Sequence, residues 1–248
     1  MRTNKRPLKT MMFGLLAFTT FSFALLPYSF AASSNIDNIS GLTQVDFKNL
    51  TEDLGAALSY KAIRPAESMG ILGFDIGFEI TSTTMETDAL EKATSNNAPS
   101  ALLVPKLHIS KGLPFGFDVG AFYTSIPSSN MGLIGGELSY AIIEGGVISP
   151  AISIRGTFSR LTGVDQLDLN TKGLELSVSK GFAFFTPYAG IGQIWTDSET
   201  SENLENESLS NSKYFLGINF SLGLVNFAAE TEQTGDNSST SAKIGVRF

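Results

Sequence analysis

The feature that most constrains this chain is a two-residue rhythm of apolar side chains that runs from about residue 71 to Phe248. Leu72, Phe74, Ile76, Phe78 and Ile80 alternate with Gly73, Asp75, Gly77 and Glu79. Ile152, Ile154 and Phe158 oppose Ser153, Arg155 and Thr157, and Leu174, Leu176 and Val178 oppose Glu175, Ser177 and Ser179. Tyr214, Leu216, Ile218 and Phe220 repeat the pattern, and Ala242, Ile244, Val246 and Phe248 close it. Successive strand residues point to opposite faces, so this rhythm specifies strands with one apolar face. Ten such runs lie near 71–83, 101–110, 115–125, 132–143, 150–161, 168–180, 184–196, 212–222, 224–234 and 240–248. Past Ala32 no stretch approaches the roughly 20 apolar residues of a membrane helix. The chain is therefore all-β: a sandwich with its apolar faces inward, or a barrel that turns them outward to lipid.

Three features favour the barrel. The polar faces are rich in glycine and serine with isolated charges, as a narrow lumen requires. Phe74, Tyr123, Tyr140, Phe158 and Phe220 fall near strand ends, where interfacial aromatics sit. Connections alternate in length, short at 111–114, 144–147, 181–183 and 223, long at 84–100, 126–131, 162–167, 196–210 and 233–239. The fold expected is an antiparallel transmembrane β-barrel over 71–248, with an even strand number.

The N-terminus reads as a leader. Arg2, Lys5, Arg6 and Lys9 precede an apolar run from Met11 to Leu26, Pro27 ends it, and cleavage after Ala31 leaves small residues at both recognition positions. Residues 1–31 are expected to be a cleaved signal peptide. With those four cations gone, 13 of the 17 basic residues face all 24 acidic ones. Such a balance excludes a nucleic-acid partner, which needs a basic surface. Residues 32–70 form an N-terminal segment with two readings. Leu54, Ala56, Leu58 and Tyr60 alternate like a strand, which would need a hidden twelfth to keep parity. Phe47, Leu50, Leu54 and Leu58 instead share one helix face with Thr43 as N-cap, giving a helix over about 44–57 that plugs or abuts a ten-stranded barrel.

The last residues, Ala242-Lys243-Ile244-Gly245-Val246-Arg247-Phe248, resemble the terminal strand of Gram-negative outer-membrane β-barrel proteins. In that class Ile244, Val246 and Phe248 would form the signal read by the barrel-assembly machinery. The resemblance covers nearly all of 54–248. It implies a bacterial outer-membrane location, lipid and lipopolysaccharide as surroundings, periplasmic chaperones during biogenesis and a monomer.

Two groups of charged residues stand out. Lys106, His108, Asp118, Glu137, Arg155 and Glu175 all occupy positions that face the lumen. Counting across the turns sets Glu137 against Arg155, Arg155 against Glu175, and Lys106 and His108 near Asp118. Opposite charges at such positions stabilise a sheet, and they read as an ion-pair network filling a narrow barrel or as a constriction that selects solutes. Asp197, Glu199, Glu202, Glu205 and Glu207 form an acidic external loop, a solvated surface or a partner site. Glu86, Asp88 and Glu91 crowd another. Neither loop has the spacing of a calcium chelate.

Catalytic signals are sparse. There is no cysteine and one histidine, which removes thiol chemistry and histidine-rich metal sites. His108 is the one candidate base, and its inward position near the periplasmic end suits a structural role. Ser177-Val178-Ser179-Lys180 has the Ser-x-x-Lys spacing, but on a strand those side chains point to opposite faces. No phosphate loop or dinucleotide fingerprint occurs. The expectation is a barrel without catalysis, metal or cofactor, acting as a structural protein or narrow solute channel, or else as a surface interaction protein working through its acidic loops.

Overall fold

The computed structural model describes residues 35–94 and 99–248, so the proposed leader, residues 1–31, lies outside the described residues. Ten strands form one closed antiparallel barrel: β1 (Phe74–Thr84), β2 (Ala101–Gly112), β3 (Phe117–Ser125), β4 (Gly132–Glu144), β5 (Ala151–Thr162), β6 (Leu167–Ser179), β7 (Phe185–Thr200), β8 (Glu207–Leu222), β9 (Val225–Thr234) and β10 (Asn237–Arg247). Each strand pairs with its sequence neighbours, and β10 closes the ring on β1 from Asp75↔Arg247 to Thr83↔Ser239. Below this seam Phe74 and Phe248 exchange backbone bonds of 2.8 and 3.0 Å. Closure leaves no free sheet edge, which is the condition for strands in lipid.

Residues 54–63 do not form a strand. Helix α1 (Gln44–Leu58) begins at a capping box in which the Thr43 hydroxyl accepts from the Asp46 amide and the Asp46 carboxylate accepts from the Thr43 amide. Phe47, Leu50, Leu54 and Leu58 are all buried, on the face that the 3.6-residue period defines. A short helix, α2 (Ala89–Ala93), lies in the β1–β2 connection. The twelve-strand alternative falls away because α1 takes up the segment it required.

Several boundaries differ from the sequence reading. β1 starts at Phe74 rather than 71. β7 and β8 are each 16 residues long, so the connection expected at 196–210 shrinks to 201–206. Asp197 and Glu199 therefore lie on β7 and Glu207 on β8, leaving only Glu202 and Glu205 in the loop. The expected long loop at 233–239 is a two-residue turn at Gly235-Asp236, where Gly235 takes a φ of +56°. Serine, asparagine and threonine around these turns read as loop, but the ladder continues through them. At one point β4 carries a bulge between Ala141 and Ile143, which sends Ile142 and Ile143 both outward.

The barrel has two zones with opposite polarity. In the lower zone, next to Phe248 and the β2–β3, β4–β5, β6–β7 and β8–β9 connections, apolar residues point outward. Phe78, Leu107, Leu138, Leu176, Ile191, Leu216 and Ile244 are exposed there. Charged side chains mark the rims of this band: Lys111, Glu144 and Lys180 below, Arg160, Asp168 and Lys172 above. From Lys180 to Lys172 the chain covers roughly 26 Å at about 3.3 Å per residue, which at the usual tilt of about 35–45° gives an apolar band about 20 Å tall. In the upper zone the phase reverses. Leu102, Val104, Leu133, Leu161, Leu167 and Leu169 point inward and are buried against α1, while Arg160 and Asp168 pair outside at 2.6 Å. One strand shows both phases: Leu167 and Leu169 of β6 face in, Leu174, Leu176 and Val178 face out.

Aromatic rings cluster at the lower rim. Phe74 lies near Phe248 (5.8 Å between centroids) and Phe117 near Tyr140 (4.7 Å), both tilted, and Phe184 stacks near Phe220 (6.4 Å). Inside, other rings lie flat over glycines directly across the ladder. A Cβ on Gly190 would stand 2.2 Å from the Phe215 ring, and one on Gly217 would stand 2.2 Å from Tyr188. These pairs fill the narrow lumen without widening the barrel. Replacing Gly217 with valine should therefore cost about 1–3 kcal/mol through forced ring displacement. Gly156→Ala, where a Cβ meets nothing within 4 Å, should be near neutral. Urea unfolding of the lipid-inserted barrel checks this, and equal shifts for both variants would contradict it.

Candidate functional site

The lower lumen is walled by strands whose inward positions carry charge. Buried there are the carboxylates of Asp75, Glu79, Asp118, Glu137, Glu175, Glu230 and Glu232, and the cations Lys106, Arg155, Lys213 and Lys243. Among its fully buried side chains the wall therefore holds seven acids against four bases, with His108 besides. Unpaired carboxylates are costly in such a setting. The N-terminal segment supplies two further cations. After α1 the chain runs down the lumen through residues 59–70, and two of its side chains, Lys61 and Arg64, are buried cations.

Eight of these groups join into one alternating chain of charge, while Lys243–Asp75 and Lys106–Glu79 pair apart from it. Arg64 donates from Nη1 to Asp118 (3.1 Å) and from Nε to Glu137 (3.0 Å), while its Nη2 reaches the Ser139 hydroxyl at 2.7 Å. Glu137 also meets Arg155 Nε at 2.9 Å, and Arg155 Nη1 meets Glu175 at 3.0 Å. Lys213 bridges Glu175 (2.7 Å) and Glu232 (2.9 Å), and Lys61 returns to Glu232 at 3.0 Å. The chain thus passes from β3 through β4, β5, β6 and β8 to β9, and the N-terminal segment enters at both ends. Arg64 presents its planar fork to two acceptors at once, a geometry that lysine cannot offer.

The registers differ from those counted across the turns. Arg155 lies directly opposite Glu175, but Glu137 faces Thr157 and reaches Arg155 on the diagonal. Lys106 and His108 do not approach Asp118. Asp118 sits opposite Gly112 at the foot of β3, whereas His108 sits opposite Phe122. The β2–β3 connection displaces the ladder further than the count assumed. Lys106 instead pairs with Glu79 across β1 at 3.5 Å. Lys61, Arg64, Glu79, Lys213, Glu232 and Lys243 were not among the sequence candidates. Their inward parity was readable on β1, β8, β9 and β10, but no rhythm marks Lys61 and Arg64 in an irregular segment.

His108 is enclosed. Its Nε2 lies 2.6 Å from the Tyr60 hydroxyl and 3.4 Å from Ser110 Oγ, and its Nδ1 lies 3.6 Å from Glu79. Acid, imidazole and serine follow one another as in a hydrolase relay. Tyr60 nevertheless occupies the imidazole at the shorter distance, Lys106 competes for Glu79, and neither His108 nor Glu79 has exposed surface. Ser110 is itself only 2% exposed.

At the mouth, α1 is tied to the external connections. Asp53 accepts from the Glu86 and Thr87 amides, the Thr87 hydroxyl (2.6 Å) and Asn237 Nδ2 (2.7 Å). The Gln44 amide donates to the Glu205 carbonyl at 3.0 Å and accepts from the Glu205 amide at 2.9 Å. The five acidic residues do not gather: Asp197 pairs with Lys172 at 3.5 Å and Glu207 accepts from Gln44. Among the described residues no group of three or more acidic or histidine side chains is arranged to hold a metal. Ile244 and Val246 project outward on β10 beside Phe248, half-exposed on the lipid-facing side of the seam.

No family model and no curated protein matches this chain. Among solved structures it is similar to the N-terminal β-barrel domain of Pseudomonas aeruginosa OprF, with 10% identity, a TM-score of 0.37, and coverage of 70% of this chain and 97% of that one. It is also similar to the KdgM porin solved with disordered oligogalacturonate (12% identity, TM-score 0.36, 71% and 99% covered). LpxR from Salmonella typhimurium aligns at 11% identity and a TM-score of 0.36, covering 69% of this chain and 100% of that one. At such scores these likenesses carry no functional argument. The fold stands on the closed ladder itself.

Two outcomes follow from this geometry. Arg64→Leu leaves buried Asp118 without a cation and Glu137 with Arg155 alone, and should destabilise the barrel by about 3–5 kcal/mol, read as a lower urea midpoint. A loss below about 1 kcal/mol would mean that water already solvates the site. At the mouth, Lys92 (2.7 Å) and the Thr43 hydroxyl and amide hold the Asp46 carboxyl down to about 2. A depressed carboxyl stabilises the fold above its ordinary range and stops doing so as pH falls through its folded value. The first turn of α1 should therefore keep its amide protection to about pH 4 and lose it towards pH 2. Asp46→Asn should show that weak protection already at neutral pH.

Proposed function

We propose that this protein is an outer-membrane β-barrel whose lumen is closed at rest by its own N-terminal segment, and that it serves as a structural platform rather than an open solute channel. The observation that carries this is the charge chain. Residues 59–70 complete it through Lys61 and Arg64, so the occluded lumen is the electrostatically satisfied one. The charge-free apolar band, closed ladder and lower aromatic rim support placement in an outer membrane, with Phe248 and its neighbouring turns at the periplasmic face. In this reading lipid and lipopolysaccharide surround the wall, and Ile244, Val246 and Phe248 serve as the assembly signal. The enclosure of His108 and Ser110 supports a non-catalytic role.

A second reading rests on Gln44, which clasps Glu205 and Glu207 at the mouth. The plug thereby shapes the acidic β7–β8 hairpin, and that hairpin is where a surface partner would dock. Removing residues 201–206 should abolish such a contact while leaving the barrel folded.

Planar-bilayer recording of the purified full-length chain tests the first reading. The native protein should insert and pass no steady current. The Lys61→Ala, Arg64→Ala double variant releases both ends of the charge chain and should conduct measurably. Steady conductance from the native protein would refute the closed-lumen reading.

A further inference from the structure

A cavity of about 310 Å³ opens at the lower end of the barrel, next to the Phe248 seam. It is lined by Glu67 and Ser68 of the N-terminal segment and by Asn219, Asn226, Arg247 and Phe248 of the wall. It lies below the charge chain and shares no residue with it.

The polar groups around this cavity are left unfinished in a specific way. Asp75 is the cross-strand partner of Arg247. Its carboxylate turns away, to Lys243 at 2.8 Å and to Asn226 Nδ2 at 3.4 Å. The Arg247 guanidinium consequently makes no hydrogen bond or ion pair among the described residues, although it points into the lumen. Asn226 is only 1% exposed, and its Oδ1 has no donor. Asn226 lies opposite Gly245, so Arg247 is its diagonal neighbour on the same inner face. Such diagonals separate side chains by roughly 7–8 Å. The cavity thus offers the planar Arg247 cation on its wall and the exposed Glu67 carboxylate at its rim, while the Asn226 oxygen is covered and does not face it.

Those groups complement one kind of ligand. A guanidinium fork takes a carboxylate, and a carboxylate takes an N–H donor or an ammonium. We propose that this cavity binds a small organic zwitterion, a free amino acid or a dipeptide, with its carboxylate on Arg247 and its amino end on Glu67. The site stands apart from the closed-lumen reading, since it needs neither passage through the barrel nor movement of the plug.

Calorimetric titration of the full-length chain in detergent, with alanine and with alanylalanine as probes, tests this. One of them should bind saturably, and which one does distinguishes the free amino acid from the dipeptide. Blocking that probe's carboxylate as an amide, or changing Arg247→Gln, should each weaken binding by about tenfold, the usual worth of a charge-assisted pair. Glu67→Gln should remove the preference for the free amine over its N-acetyl form. Arg247 neighbours the assembly signal, so its variant is first checked for the folded, heat-modifiable band. Should it fail to fold, Glu67→Gln, which lies outside the strands, decides the matter. No saturation by either probe, or affinity indifferent to the variant that folds, overturns the proposal.

Discussion

Everything in this barrel turns on the cost of an unpaired carboxylate in a narrow lumen. Seven buried acids line the lower wall against four buried bases, and lipid lies on the other side. A carboxylate left without a counter-charge in such a place is strongly destabilising, whereas a fully connected set is tolerated. Lys61 and Arg64 are therefore structural counter-ions delivered by a peptide. They explain why residues 59–70 hold a fixed path without regular secondary structure: the path is set by what their side chains must reach. The arrangement also explains why arginine stands where one side chain bridges β3 and β4.

The two zones show one chain answering two solvents. Below Lys172 the surroundings are apolar, so leucine faces out and charge faces in. Above it the surroundings are water, and the same strands return to the ordinary soluble arrangement with leucine on α1. Phe47, Leu50 and Leu54 pack against Leu133, Leu161 and Leu169 in a core that any soluble protein could contain. Each such side chain contributes about 1.5–3 kcal/mol on burial. The plug is thus held from above by hydrophobic packing and from below by ion pairs, which differ in their response to salt and temperature.

Much of this is legible in the sequence, and what is not has a physical cause. The strands, their even number and the helix with its Thr43 cap follow from periodicity and capping chemistry. The inward sides of Glu137, Arg155 and Glu175 follow from parity. The reversal between zones was also present as a slip in phase on β6, from Leu167 and Leu169 to Leu174 and Leu176, with no bulge to cause it. Alternation alone does not say which side is which, so a change of solvent looks like a change of nothing. Register was the weaker inference, because a turn of uncertain geometry shifts every pair beyond it. That is how Asp118 came to be set beside Lys106. Loop length failed at Gly235, where polar residues continue a ladder above the membrane instead of leaving it.

The direction in which the N-terminal segment traverses the barrel has a consequence for how the molecule is made. Residues 35–42 lie at the mouth, where Ile36 exchanges hydrogen bonds with Asn130, and Gly70 lies at the opposite end beside Gly112. The chain enters by the mouth, passes through the whole lumen and only then begins β1. A finished ring cannot be threaded this way without drawing a helix through a bore already crowded with rings over glycines. The wall must instead be wrapped around its own beginning, with the meeting of β1 and β10 as the last event. The plug is then a mandrel on which the cylinder is rolled.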